Sequence, residues 1–154
     1  MLRTKITSLI AVVACASGVA AVIATSTATA APTASAASGP RLTLEKTPIG
    51  HVLFQGGVVV YDFTRDRKNT NTCTKSSGCA ATWPPLLSKG KPTAGPGVKE
   101  SLIGLIKDGS KEQVTYAGHP LYDYIMNSSS TSYVGYSQYG GRWDALTATG
   151  AQVK

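Results

Sequence analysis

The sequence predicts an all-β or mainly-β domain. Antiparallel hairpins in two related halves are expected to share one core, with one or two short helical turns. Three observations predict it. Apolar residues come in short runs rich in Val, Ile, Tyr and Phe, residues that fit a pleated, half-buried surface. Glycine-rich steps punctuate these runs at hairpin spacing. A sustained apolar period of about 3.6 residues is hard to find after the first thirty residues.

Residues 1–30 read as an export address. Arg3 and Lys5 precede an apolar run from Leu9 to Ile23, and Ala28-Thr29-Ala30 supplies a small-x-small cleavage pattern. The run is about fifteen residues long, short of the roughly twenty that cross a bilayer core. A second reading takes Val12-Val13-Ala14-Cys15 as a loose lipobox with a lipid on Cys15. Few apolar residues precede that cysteine, and the run continues past it. The chain is therefore expected to be secreted, with lipid anchoring to the outer face of the cell membrane as the alternative. Residues 31–40, rich in Ala, Ser, Thr and Pro, read as a disordered leader.

Residues 41–154 are expected to form one domain, with half-repeats at about 47–88 and 101–147. His51–Gln55 and Val58–Phe63 flank Gly56-Gly57 and predict a hairpin. Cys73 and Cys79 are the two cysteines left after the address is removed. An even count in an exported chain suggests one disulfide, with Gly78 easing the turn. A redox pair or a metal site is the lesser reading, because the spacing is neither C-x-x-C nor that of a zinc site. A helical turn is expected at Cys79–Trp83, stopped by Pro84-Pro85, and another near Val98–Leu102. Leu102–Lys107, Gln113–Tyr116, Leu121–Ile125 and Arg142–Leu146 are further candidate strands.

The repeat is read from order. Residues 49–66 and 103–127 both open on Ile-Gly and close on Tyr-Asp-aromatic: Tyr61-Asp62-Phe63 and Tyr122-Asp123-Tyr124. Aligned on Ile-Gly, the second copy carries an insertion.

The blocks YDFTRD (61–66), NTC (71–73), GCAATWPPLL (78–87), QVTYAGHPLY (113–122) and GGRW (140–143) stand in an order that resembles the bacterial secreted-repeat proteins. These are also described as predicted lipoproteins with a Y-x-[FWY]-x-x-D motif. The resemblance spans roughly residues 47–147. It implies an exported, often lipid-anchored protein of actinobacterial type with an undefined biochemical role, and some members are connected with extracytoplasmic electron transfer. The motif positions it marks are Tyr61, Phe63, Asp66, Trp83, Pro84, Pro85, His119, Pro120, Tyr122, Tyr124 and Trp143. The second motif departs from the pattern, with Asn127 where Asp is usual.

Each candidate site has a structural reading beside a functional one. Tyr61 and Phe63 share one strand face. They are either core aromatics with a turn-capping Asp, or a relay in which Asp66 or Asp62 takes a tyrosine proton. Trp83-Pro84-Pro85 is a core plug or a ligand platform. His51 and His119 are turn and strand residues; a metal or haem on them is the minor alternative to no cofactor. Tyr133, Tyr136 and Tyr139 recur among Ser and Gly as a surface-contact candidate. Arg65, Arg67 and Lys68 make a basic cluster, and Lys89 and Lys91 another. These suit an anionic polymer or acidic lipid heads. Nucleic acid is a poor partner for an exported chain with no recognised binding motif.

Composition excludes several classes. At 154 residues with three cysteines, the chain is not a multidomain enzyme, a coiled coil or a disulfide-dense miniprotein. It has no G-x-S-x-G, H-E-x-x-H or phosphate-loop motif. The expected function is a non-catalytic envelope or extracellular binding module for an envelope protein, another extracellular protein or an anionic polymer. The alternative is an extracytoplasmic electron-transfer accessory using the tyrosines or the cysteine pair.

Overall fold

A computed structural model describes residues 39–129 and 132–154. The expected address, the lipid site at Cys15 and nearly all of the leader lie outside the described residues. Within them the regular structure is mostly short strands, in three antiparallel-dominated sheets.

The first sheet grows around β1 (Arg41–Thr47) and β2 (Gly50–Gln55). They pair antiparallel from Leu42↔Gln55 to Thr47↔Gly50. Gly56 and Gly57 both hold positive φ, 60° and 84°, the geometry of a tight hairpin turn. They return the chain into β3 (Val58–Val59) on the far edge of β2. The run expected as one strand then divides at Val60. Its second part, β4 (Tyr61–Phe63), joins another sheet. Next come the cysteine loop, a helical turn α1 (Cys79–Thr82) and β5 (Leu87–Ser88). Then β6 (Thr93–Ala94) covers the outer edge of β1 in parallel.

The second hairpin is β7 (Ile103–Asp108) with β8 (Lys111–Tyr116), followed by β9 (His119–Pro120). A 3-10 turn at Glu100–Leu102 precedes it, within the stretch expected to form a helical turn. Registers repeat at a constant shift of 61 positions: Leu42↔Gln55 becomes Ile103↔Tyr116, and Gln55↔Val58 becomes Tyr116↔His119. Even the bond from Val60 N–H to Leu53 O recurs as Leu121 N–H to Val114 O. This corrects the Ile-Gly alignment. Ile103 occupies the place of Leu42, not Ile49, and no insertion separates the two hairpins. The turn at Gly56-Gly57 corresponds to Ala117-Gly118, where Ala117 also holds positive φ, 51°.

The last sheet centres on β11 (Gly141–Leu146). Trp143 and Ala145 pair with β4 on one side. On the other side they pair with β10 (Tyr136–Gln138) and β12 (Gln152–Val153). Leu121–Ile125, expected as a strand, makes only single bridges. Tyr122 faces Tyr61 and Pro85, while Asp123 and Ile125 N–H donate to Pro84 O and Thr82 O. Prolines cannot donate to a ladder, so a segment laid along Pro84-Pro85 stays irregular.

Two clusters fill the interior. One is mainly aliphatic, with Leu42, Leu53, Leu86, Val114, Leu121 and Leu146 around the ring of Tyr116. The other is aromatic and holds Tyr61, Phe63, Trp83, Tyr122, Trp143 and the cystine.

Candidate functional site

The aromatic cluster has its own symmetry. Tyr61 and Tyr122 exchange two backbone hydrogen bonds, each 2.9 Å from N to O. Residues 61 positions apart thus meet face to face, as they would about a twofold axis. Around them Trp83 and Trp143 stack with centroids 4.1 Å apart and planes 3° from parallel. Phe63 stacks on the outer face of Trp143 and Tyr124 on that of Trp83, both at 4.2 Å. Tyr61 meets Trp83 edge-on at 5.1 Å, and Tyr122 meets Trp143 edge-on at 5.2 Å. Offset-stacked and edge-to-face arrangements are both favourable for rings, adding about 0.5–1.5 kcal/mol per pair beyond burial.

The motif's tyrosines reach across this arrangement. Tyr122 donates its O–H to Asp66 Oδ2 at 2.6 Å, while Tyr61 donates to Asn127 Oδ1 at 3.0 Å. Each half's tyrosine is therefore held by the sixth motif residue of the other half. A relay from Tyr61 to Asp66 within the first motif does not form. Asp66 is also bound by Thr72 through its N–H at 2.7 Å and its hydroxyl at 2.8 Å. Asn127 uses its amide both ways: Oδ1 accepts from Tyr61 and Nδ2 donates to Val59 O at 2.7 Å. Aspartate at 127 would lose that second bond, because a carboxylate only accepts.

Burial sets the ionisation. Desolvation pushes the Tyr61 hydroxyl up to about 12. Desolvation, then the Asp66 charge, pushes Tyr122 far above the ordinary tyrosine range. Burial also raises Asp66, against the opposing pull of the Tyr122 and Thr72 hydrogen bonds.

A second polar group lies on β4 and β11. Asp62 and Asp144 face each other across the strands and are both buried. Arg142 binds Asp144 through two bonds of 2.6 Å. Gln152 donates to Asp62 Oδ2 at 2.6 Å, and His119 Nδ1 stands 3.2 Å from the same oxygen. The hydrogen bond to Asp62 raises His119 above the ordinary imidazole value. Asp123, 61 positions from Asp62, has no such partners. Its Oδ1, like that of Asp62, is buried and unbonded, and desolvation raises its carboxyl.

The other candidates fall as follows. Cys73 and Cys79 form a disulfide with Cα atoms 5.3 Å apart, and both residues are fully buried beside Trp83. Gly78, at φ 75°, caps the helical turn. Trp83 is fully buried, so it packs the core and offers no exposed platform. Its Nε1–H donates to Gln138 Oε1 at 2.8 Å. Pro120 is buried at the end of β9, and Pro84 and Pro85 are half-buried along the Asp123 segment. The tyrosine row is largely pinned. Tyr133 N–H donates to the Tyr61 oxygen, Tyr139 bonds Thr82 and Gly78, and only Tyr136 is exposed. Arg65 donates to Tyr139 O at 2.9 Å, joining one basic cluster to that row, while Arg67 and Lys68 stand in solvent. His51 is exposed on β2 and takes no part in this site. Among the described residues no group of three or more His, Cys, Asp or Glu side chains is placed to hold a metal.

Sequence reasoning missed the cross-half pairing and the Asp62–His119–Gln152 group. The signal for the first was present in the two Tyr-Asp-aromatic blocks themselves. No helix among the described residues is long and apolar enough to cross a membrane, and a disulfide is compatible with an extracellular location. Comparison of the chain with family models, with curated proteins and with solved structures finds no match.

Proposed function

We propose that this chain is an exported, non-catalytic binding module of the secreted-repeat kind, and that its partner is an anionic polymer of the cell envelope or medium. The sorting of charge carries the reading. Without Arg3 and Lys5 the chain has 13 basic and 8 acidic residues. Asp62 and Asp144 are buried, and Asp66 and Asp123 are half-buried in the motif region. The acids left towards solvent are Glu45, Glu100, Asp108 and Glu112, and Lys91 and Lys107 pair with two of them. The charged side chains left towards solvent are therefore mostly basic. Lys89, Lys107 and Lys111 line one open hollow with Ser88, Ser110 and Glu112; Glu112 pairs with Lys107, which leaves Lys89 and Lys111 as its unpaired cations among the described residues. Such a surface raises the local concentration of polyanions.

Burial of both cysteines weighs against a thiol-exchange role, which needs an accessible sulfur. The binding reading is tested by retention on immobilised polyphosphate and polyglutamate, with dextran as the neutral control. Retention on both anionic matrices, lost with added salt and weakened by K89E/K111E, is expected. Retention equal to that on dextran would sink the proposal.

A further inference from the structure

Six rings run in contact from the surface to the centre of the aromatic cluster. Tyr136 is exposed and lies 6.2 Å from Tyr133, which lies 4.4 Å from Tyr124. Tyr124 stacks on Trp83, Trp83 on Trp143, and Trp143 meets the edge of Tyr122, at 4.2, 4.1 and 5.2 Å. Trp and Tyr are the side chains that lose one electron most readily, and a ring that has lost one becomes strongly acidic. An oxidising equivalent therefore settles where a base takes the proton.

Most rings of the cluster lack such a base. Trp83 Nε1–H is bonded to the Gln138 amide, and Trp143 Nε1–H has no partner. Tyr61 is bonded to the Asn127 amide, and Tyr124 to the Met126 thioether. Neither an amide nor a thioether accepts a proton near neutral pH. Tyr122 alone among these rings donates to a carboxylate, at 2.6 Å. Its mate in the other half differs in that one atom group.

We infer that Tyr122 and Asp66 form a one-electron oxidation site, filled from the surface through the ring column. The oxidant is a small radical, such as a peroxide-derived oxyl species. It takes one electron at Tyr136 or Tyr124 and is reduced by one electron. Electrons then shift outward along the column. At its inner end the Tyr122 O–H bond breaks, the electron leaves towards Trp143 and the proton passes to Asp66 Oδ2. The products are a neutral tyrosyl radical and a neutral carboxylic acid. Tyr122 is fully buried, so the radical cannot couple with a ring of another molecule. Desolvation raises both hydroxyl and carboxyl. The phenol thus keeps its proton until oxidised, and the carboxylate is a better base when it is.

The test is pulse radiolysis of the signal-free chain with azide radicals, followed optically and by electron paramagnetic resonance. A tryptophanyl signal that converts to a long-lived tyrosyl signal is expected. Y122F should lose the long-lived signal and form dityrosine between molecules instead. Y61F, a matched loss of a buried hydroxyl, should leave the signal unchanged. D66N should shorten its life while retaining the disulfide and the circular dichroism of the native chain. If Y122F does not fold, the D66N lifetime decides. An unchanged signal in Y122F or D66N, or its loss in Y61F, overturns the assignment.

Discussion

The two halves use one backbone plan with different chemistry at corresponding places. In one, Tyr122 closes on the Asp66 carboxylate; in the other, Tyr61 closes on the Asn127 amide. Asp62 is partnered by Gln152 and His119 through Oδ2, while neither reaches Asp123; both carboxylates keep a buried, unbonded Oδ1. The first half carries the cystine, and the corresponding stretch of the second carries Tyr133, Val134 and Tyr139 packed on the same cluster. Backbone register and ring packing keep the correspondence. Polar partners at the same sites are free to diverge, since each needs only its own hydrogen bonds satisfied.

The largest test of this correspondence is to remove its centre. Trp83→Ala and Trp143→Ala should each cost about 3–5 kcal/mol in denaturant unfolding. The double variant should cost clearly less than their sum, because the two rings share one stack. Additive costs would mean that the halves pack independently. Reduction of Cys73–Cys79 comes next and should cost about 2–4 kcal/mol. Hydrogen exchange should then rise around residues 72–83 while β7 and β8 stay protected. Equal loosening of both hairpins would show that the cystine supports the whole domain.

Asp66→Asn makes the two tyrosine sites alike. It should cost about 1–3 kcal/mol near neutral pH, because three donors lose a charged acceptor. A neutral result would mean that the amide serves as well in both halves. Asp123→Asn should instead stabilise, by up to about 1 kcal/mol, by removing a desolvated carboxylate without partners. Any loss of stability would reveal a hidden partner for that oxygen.

The smallest expected effect is on His119, which is over a third exposed. Its folded pKa is raised by Asp62. Its contribution is then fully present below the unfolded value, roughly 6.5, and is lost as pH rises through the folded value. His119→Gln should lower stability by less than about 1 kcal/mol below pH 6 and converge with the parent chain at alkaline pH. A gap that widens with pH would reverse the assignment of the partner.

Much of the fold was legible in short range. Gly56-Gly57 marked a turn whose two positive φ values only glycine takes freely, and Pro84-Pro85 marked the end of the helical turn. Strand β1 was not legible: Arg41–Thr47 holds two leucines among polar residues and lacks an apolar run. Ile-Gly misaligned the repeat because turn glycines recur for local reasons, whereas the true shift is carried by pairing register. Asp66 and Tyr122 were both visible as motif residues. Their bond was not, since proximity across 56 positions is decided by tertiary packing.

The crossed tyrosine bonds also bear on how the chain folds. Either hairpin can form from neighbouring residues, but neither can complete its share of the ring stack alone. Trp83 waits for Trp143, and Tyr61 for Asn127, so the decisive contacts are all of long sequence separation. Such topologies fold slowly for their size, because loop closure must come before the contacts that reward it. The rate-limiting event should therefore be the docking of two preformed hairpins, with substitutions in the stack slowing folding more than they speed unfolding.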